Sequence, residues 1–289
     1  MKRLLLAALA VAAVAPVASA KRAAPPNPVQ RALAADVVVV GKVTAVEKEA
    51  VELPPFPGSP DNVAHRVAVV KVETGLAGAD NLTHVKVAFL PPPAGADGAL
   101  GRRRPFGPVS LAVGQEGLFF LTKHPTGGFY TVAPMAPPVD AAADDFKAQT
   151  AVVVKALAAV ADPAKALKAD KADDRAFAAA VIVMKYRTAP ADGGEAAVEP
   201  LPADESNRLL RALAEGEWTN YAAGAPAAVN AFYLLGLTPE NGWAPPKPVA
   251  PQPGRPAANY NAALQTAFVA WLDGPGKDYR VGKFVAKKK

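Results

Sequence analysis

The side-chain period of this chain changes once, near residue 140. Residues 31–140 carry Val-rich runs of alternating character broken by Pro and Gly. Residues 141–289 carry Ala and Leu at helical spacing. A strand pattern cannot serve as a helix pattern, because successive side chains alternate faces in one and advance by a 3.6 period in the other. The expectation is therefore an α+β multidomain chain, with a small β domain over 31–140 and an α-helical domain over 141–289. Pro134-Met135-Ala136-Pro137-Pro138 marks the junction. With 289 residues there is room for two domains, each with its own core.

Five strands are predicted in the first region. Val37 to Val46 is a β-branched run interrupted by Gly41, and Val67 to Val72 is a second. Val85, Val87 and Phe89 alternate with polar or small residues. Gly117 to Lys123 contains Leu118-Phe119-Phe120-Leu121, the mark of a buried strand. Gly127-Gly128 turns the chain into Phe129 to Ala133. Five strands with turns between them suit a small closed barrel. Two long Pro-rich loops, Leu53 to Asn62 and Pro91 to Pro108, interrupt them.

In the second region about five helices are predicted. Asp144 to Ala161 puts Phe146, Val153, Leu157 and Val160 on one stripe. Asp173 to Tyr186 is apolar on several faces, as a central helix would be. Asp204 is placed as the N-cap of a helix through Glu217. Pro226 opens a helix that Gly236 ends, and Asn259 to Leu272 shows the cleanest stripe. No fixed repeat length is visible, so the expectation is an irregular or HEAT-like bundle.

The order of β segments resembles a known family. Ala35-Asp36-Val37-Val38-Val39-Val40-Gly41-Lys42-Val43 is similar to the opening strand of netrin-like domains, the family of tissue inhibitors of metalloproteases. Val69-Val70-Lys71-Val72-Glu73-Thr74-Gly75 resembles the next strand. Val113-Gly114-Gln115-Glu116-Gly117-Leu118-Phe119-Phe120-Leu121 resembles a later one. The likeness covers about residues 31–134 and implies a five-stranded OB-type barrel. Inhibitory members chelate a protease's zinc through an N-terminal Cys. This chain has no Cys, so the resemblance carries the fold and not that mode of inhibition.

The ends read separately. Lys2-Arg3, the apolar run Leu4 to Val14, the break at Pro16 and the small residues Ala18-Ser19-Ala20 describe a secretory signal peptide cleaved after Ala20. The run is shorter than the ~20 apolar residues of a membrane span. Residues 21–30 read as a Pro-rich leader with little core potential. The expected location is secreted or periplasmic in a bacterium, with no membrane span after cleavage. The formal charge is +6, yet Lys2, Arg3, Lys21, Arg22 and Lys287 to Lys289 supply seven positive charges at the two ends. Residues 23–286 are left at −1. A folded body near neutrality lacks the basic stripe that nucleic-acid binding requires.

Chemistry-bearing residues are few. Absence of Cys excludes disulfides, thiolate metal sites and a Cys nucleophile. His65, His84 and His124 are the only histidines. Their gaps of 19 and 40 residues lack the short spacing of a zinc site, so no metal and no cofactor are expected. Ser59, Ser110 and Ser206 sit outside any nucleophile-elbow pattern. Asp144-Asp145 and Asp173-Asp174 fall at predicted helix N-termini, where carboxylates offset exposed amide dipoles. Two candidate ligand-binding features remain. Arg102-Arg103-Arg104, in a Gly/Pro-rich loop, would grip a carboxylate or phosphate through its guanidinium forks or stand as a solvated, protease-sensitive tip. Trp243, followed by Ala244-Pro245-Pro246-Lys247-Pro248, would serve a peptide contact or pack inward at the head of a stiff linker. By elimination the expected function is a non-catalytic interaction module of the cell envelope, its partner another envelope protein or polymer. The alternatives are a hydrolase or metal enzyme assembled from dispersed residues, and a protease inhibitor by family resemblance.

Overall fold

The computed structural model describes residues 26–54, 59–91, 109–124, 127–133, 136–188, 195–221, 226–248 and 259–287. In chain order the elements are α1 (Pro28–Ala34), β1 (Val37–Val46), β2 (Val51–Leu53), β3 (Val63–Ala77), β4 (His84–Phe89), β5 (Glu116–Lys123), β6 (Tyr130–Val132) and β7 (Val139–Asp140). There follow α2 (Phe146–Ala161), α3 (Pro163–Ala166), α4 (Ala172–Tyr186), β8 (Ala196–Pro200), α5 (Ala203–Ala214), α6 (Ala228–Leu235), α7 (Tyr260–Asp273) and β9 (Gly282–Ala286). The chain is a mixed α+β protein.

Five strands close into a ring. β1 pairs antiparallel with β3, β3 with β4, β4 runs parallel to β6, β6 pairs with β5, and β5 returns to β1. β2 extends β3 and β7 extends β5. Alternation along β1 sends Val37, Val39 and Val43 inward, where they meet Val70, Val87, Phe119 and Leu121. Closing so small a ring requires strands to bend. β1 shows three register shifts against β3, and Gly41 lies opposite Gly117 across β1 and β5. A Cβ on Gly41 would stand 2.5 Å from the Lys71 carbonyl oxygen, and one on Gly117 would stand 2.3 Å from that of Val139. Only glycine lets those backbones approach.

The outer face of the ring is not all left to solvent. Val38, Leu118 and Phe120 point outward and are buried under Val29 and Leu33 of α1, Val153 and Ala156 of α2, and Val181 and Met184 of α4. Burial on both faces is why Leu118-Phe119-Phe120-Leu121 reads as an unbroken apolar run. A third core gathers Leu209 and Leu213 of α5, Trp218, Phe232 of α6, and Phe268 and Trp271 of α7. α4 belongs to both helical cores, because Ile182 and Val183 face the third one. Its Ala176, Ala178, Ala179 and Ala180 are all buried and let neighbouring helices approach closely.

The structure departs from expectation in several places. Residues 28–30, expected in the leader, form the first turn of α1, and Val29 is 1% exposed. The reason is local. Asn27 accepts from the Gln30 amide while the Gln30 side chain accepts from the Asn27 amide, with Pro28 in the first turn. Pro202, not Asp204, occupies the N-cap of α5, and Asp204 sits inside the first turn. Residues 196–200 pair with 282–286 in a separate two-stranded ribbon that no local pattern announces. At its end the exposed Lys287 meets the exposed Glu195 at 2.6 Å. Among the described residues no helix is long and apolar enough to cross a membrane.

Candidate functional site

Strand register decides the histidine question. His84 opens β4 opposite Lys71 of β3. His65 lies six residues before Lys71 on the same strand, which places the two histidines ~20 Å apart at the usual strand rise. Ligand atoms sit ~2 Å from a zinc ion, so the three histidines cannot share one. Each has a local role instead. His65 is buried at 6% exposure with Nδ1 2.8 Å from the Val63 carbonyl. His84 is exposed, its Nδ1 3.3 Å from Thr83 Oγ1. The turn after β5 is capped by His124, whose Nδ1 accepts from the Gly127 amide at 3.0 Å while its ring lies 4.8 Å from Phe129. Among the described residues no group of three or more His, Asp or Glu is arranged to hold a metal ion.

The serines are structural where their contacts are seen. Ser206 is fully buried and its Oγ accepts from the Val281 amide at 3.1 Å, tying α5 to the residue before β9. Ser59 donates to the Asp61 carbonyl at 3.2 Å. Of the acidic pairs, Asp173 and Asp174 occupy the first turn of α4, and Asp174 meets Lys155 at 2.5 Å. That contact holds the Asp174 carboxyl below the ordinary carboxylate range.

Trp243 does not present its ring to a ligand. It is 7% exposed, with ring centroids 5.2 Å from Phe232, 6.1 Å from Trp271 and 6.4 Å from Phe268. The inward alternative holds for this residue because a Trp surrounded by three aromatic rings buries more apolar area than a surface stack would. Arg102, Arg103 and Arg104 lie outside the described residues.

One half-buried cation escaped sequence reasoning. Arg31, on the last turn of α1, lies 4.3 Å above the Phe120 ring. Its Nη2 donates to the Ala136 carbonyl at 2.9 Å and also to the Pro137 carbonyl. Burial pushes the guanidinium down to about 10, so it stays charged at neutral pH. Arg31 clamps the junction segment onto α1 and β5. The signal was present in the sequence as a lone charge among Val29, Ala32 and Leu33.

The uncovered part of the ring carries charged side chains of both signs. Register aligns Glu116, Lys42, Lys71 and His84 across β5, β1, β3 and β4. Lys42 meets Glu116 at 2.6 Å, which holds its ammonium above the usual lysine value, and Lys86 meets Glu47 at 2.9 Å. A shallow hollow of about 310 Å³ lies between Glu240, Gly242, Pro275 and Tyr279. A smaller one of about 140 Å³ lies between Asn27, Asn230 and Leu234. Neither joins a nucleophile to a base. No family model, curated protein or solved structure matches the chain.

Proposed function

We propose that the chain is a non-catalytic interaction module of a bacterial cell envelope, exported by a signal peptide cleaved after Ala20 and built on an OB-type barrel of netrin-like kind. One observation carries the reading. Numbered by themselves in chain order, the ring strands run 1-2-3-5-4 and close on 1, with a parallel seam between the third and fifth. That order supports an OB-type barrel, a scaffold that binds through the surface and loops of a rigid ring. The segments with netrin-like character fall on β1, β3 and the approach to β5, three of those five strands. The helices after β7 brace one side of the ring and leave the opposite side for a partner. That partner is another envelope protein or polymer, and the guanidinium groups of Arg102 to Arg104 meet its anionic groups. The near-neutral body disfavours nucleic acid.

The test is a crosslinked pull-down from the native envelope fraction with tagged residues 21–289, in parallel with the same chain carrying Arg102→Ala, Arg103→Ala and Arg104→Ala. The expected result is one stoichiometric protein, captured by the first bait and lost with the second. No stoichiometric partner for the first bait overturns the reading. A mature protein whose mass does not begin at Lys21 overturns the export step.

A further inference from the structure

The proline segment after Trp243 divides into an anchor and a displayed strip. Trp243 is locked in the aromatic core, so the chain emerges from a fixed point. Ala244 to Pro248 then lie outside helix and strand, and no hydrogen bond involves them among the described residues. Ala244, Pro245, Lys247 and Pro248 are exposed, whereas Pro246 is half-buried.

That exposure pattern has a geometric reading. Proline fixes φ near −65° at Pro245, Pro246 and Pro248 and restricts the residue before it, here Ala244, Pro245 and Lys247, to extended conformations. Such a run forms a polyproline helix with three residues per turn. Pro245 and Pro248 then share one face, Pro246 turns to the protein body, and Lys247 takes the third edge. Lys247 is the strip's one charged residue and is exposed, and no ion pair engages it among the described residues. A linker needs only length. This segment is pre-shaped, anchored at one end and presents a paired-proline face beside an unpaired cation.

We propose that Pro245–Pro248 is a polyproline docking strip for a partner domain whose groove is lined by aromatic rings and rimmed by carboxylates. Proline rings pack on aromatic faces, a preset backbone loses little entropy on docking, and the carboxylate rim answers Lys247. The proposal rests on the interaction reading only for the existence of a partner, and its surface is separate from the barrel.

The test places a photo-crosslinking benzophenone residue at Ala244 of residues 21–289, expressed in the native envelope. It is compared in three backgrounds: the natural strip, Pro245→Ala with Pro248→Ala, and Lys247→Glu. The expected result is one crosslinked species whose attached peptide carries aromatic residues, reduced about tenfold or more in both variants. Tryptophan emission, unchanged across the three chains, reports that Trp243 keeps its core position. A missing species, a species undiminished by the double proline change, or an attached peptide without aromatic residues overturns the strip. If it fails while the pull-down with residues 21–289 still yields its partner, the interaction reading stands and only the docking surface falls.

Discussion

Gly41 is retained for space rather than for backbone conformation. It has no left-handed φ, but an added Cβ would press on backbone and side-chain atoms of β3 at 2.5 and 2.9 Å. Gly41→Ala should therefore destabilise by about 1–3 kcal/mol, the usual range for overpacking. Gly128 has nothing within 4 Å of such a Cβ, and Gly128→Ala should fall within about 0.5 kcal/mol of the parent. Urea midpoints of the two variants check the contrast. Equal midpoints would remove the close approach as the reason for Gly41. Tyr186 offers a second residue-scale expectation. Burial, with Glu205 adding to it, holds its phenol above the ordinary value of 10.0, and burial acts likewise on Tyr279. A raised folded value means that the linked stability is full below pH 10 and declines as pH rises through that value. Tyr186→Phe should flatten the alkaline decline of the thermal midpoint and leave the midpoint's slope near neutrality unchanged. Arg31 acts in the opposite sense, because deprotonation near 10 relieves its burial. The comparison with Tyr186→Phe must therefore keep Arg31 intact.

At the scale of elements, α1 is short yet covers a large part of the second core. Asn27→Ala removes one of the two hydrogen bonds of its capping box and should cost about 1 kcal/mol. Removing residues 21–34 withdraws Val29, Ala32 and Leu33 from the faces of Val38, Leu118 and Phe120, and should cost about 3–6 kcal/mol. Denaturant midpoints separate the two, and dye binding to the truncated chain reports the uncovered strands. A truncation no worse than Asn27→Ala would mean that α1 does not seal the ring. The same helix shows what a sequence makes legible. β1 and α7 were readable because their periods run over many residues and Asn259 marks the start of α7. α1 was hidden by the prolines before it, although its capping pattern was there to be read. β8 and β9 carry no signal of their own, since five-residue strands held by a distant partner owe their shape to that pairing. The candidate site divides in the same way. Wide histidine spacing left open whether the rings meet, and only strand register sets His65 and His84 ~20 Å apart. Trp243 beside prolines was ambiguous until three aromatic neighbours placed it inside.

For the whole molecule, the boundary near residue 140 separates two compositions without separating two cores. The inner barrel core belongs to the β region and the aromatic core to the helices, but the core between them takes side chains from α1, β1, β5, β7, α2 and α4. α4 lies in both helical cores, and Arg31 ties α1 to the residues just before β7. An isolated 31–140 segment would expose Val38, Leu118 and Phe120 together, an apolar patch of the kind that drives association. Unfolding of residues 21–289 should accordingly be one cooperative transition. The chain supplies its own probes. Trp218, Trp243 and Trp271 all lie in the aromatic core, so tryptophan emission follows the helices alone. Hydrogen exchange at the amides of β5 follows the ring. The two should share one urea midpoint. A tryptophan transition that precedes exchange at β5 would mean that the ring survives without its helical cover. The shared core would then be a contact between two stable units rather than the joint that makes them one.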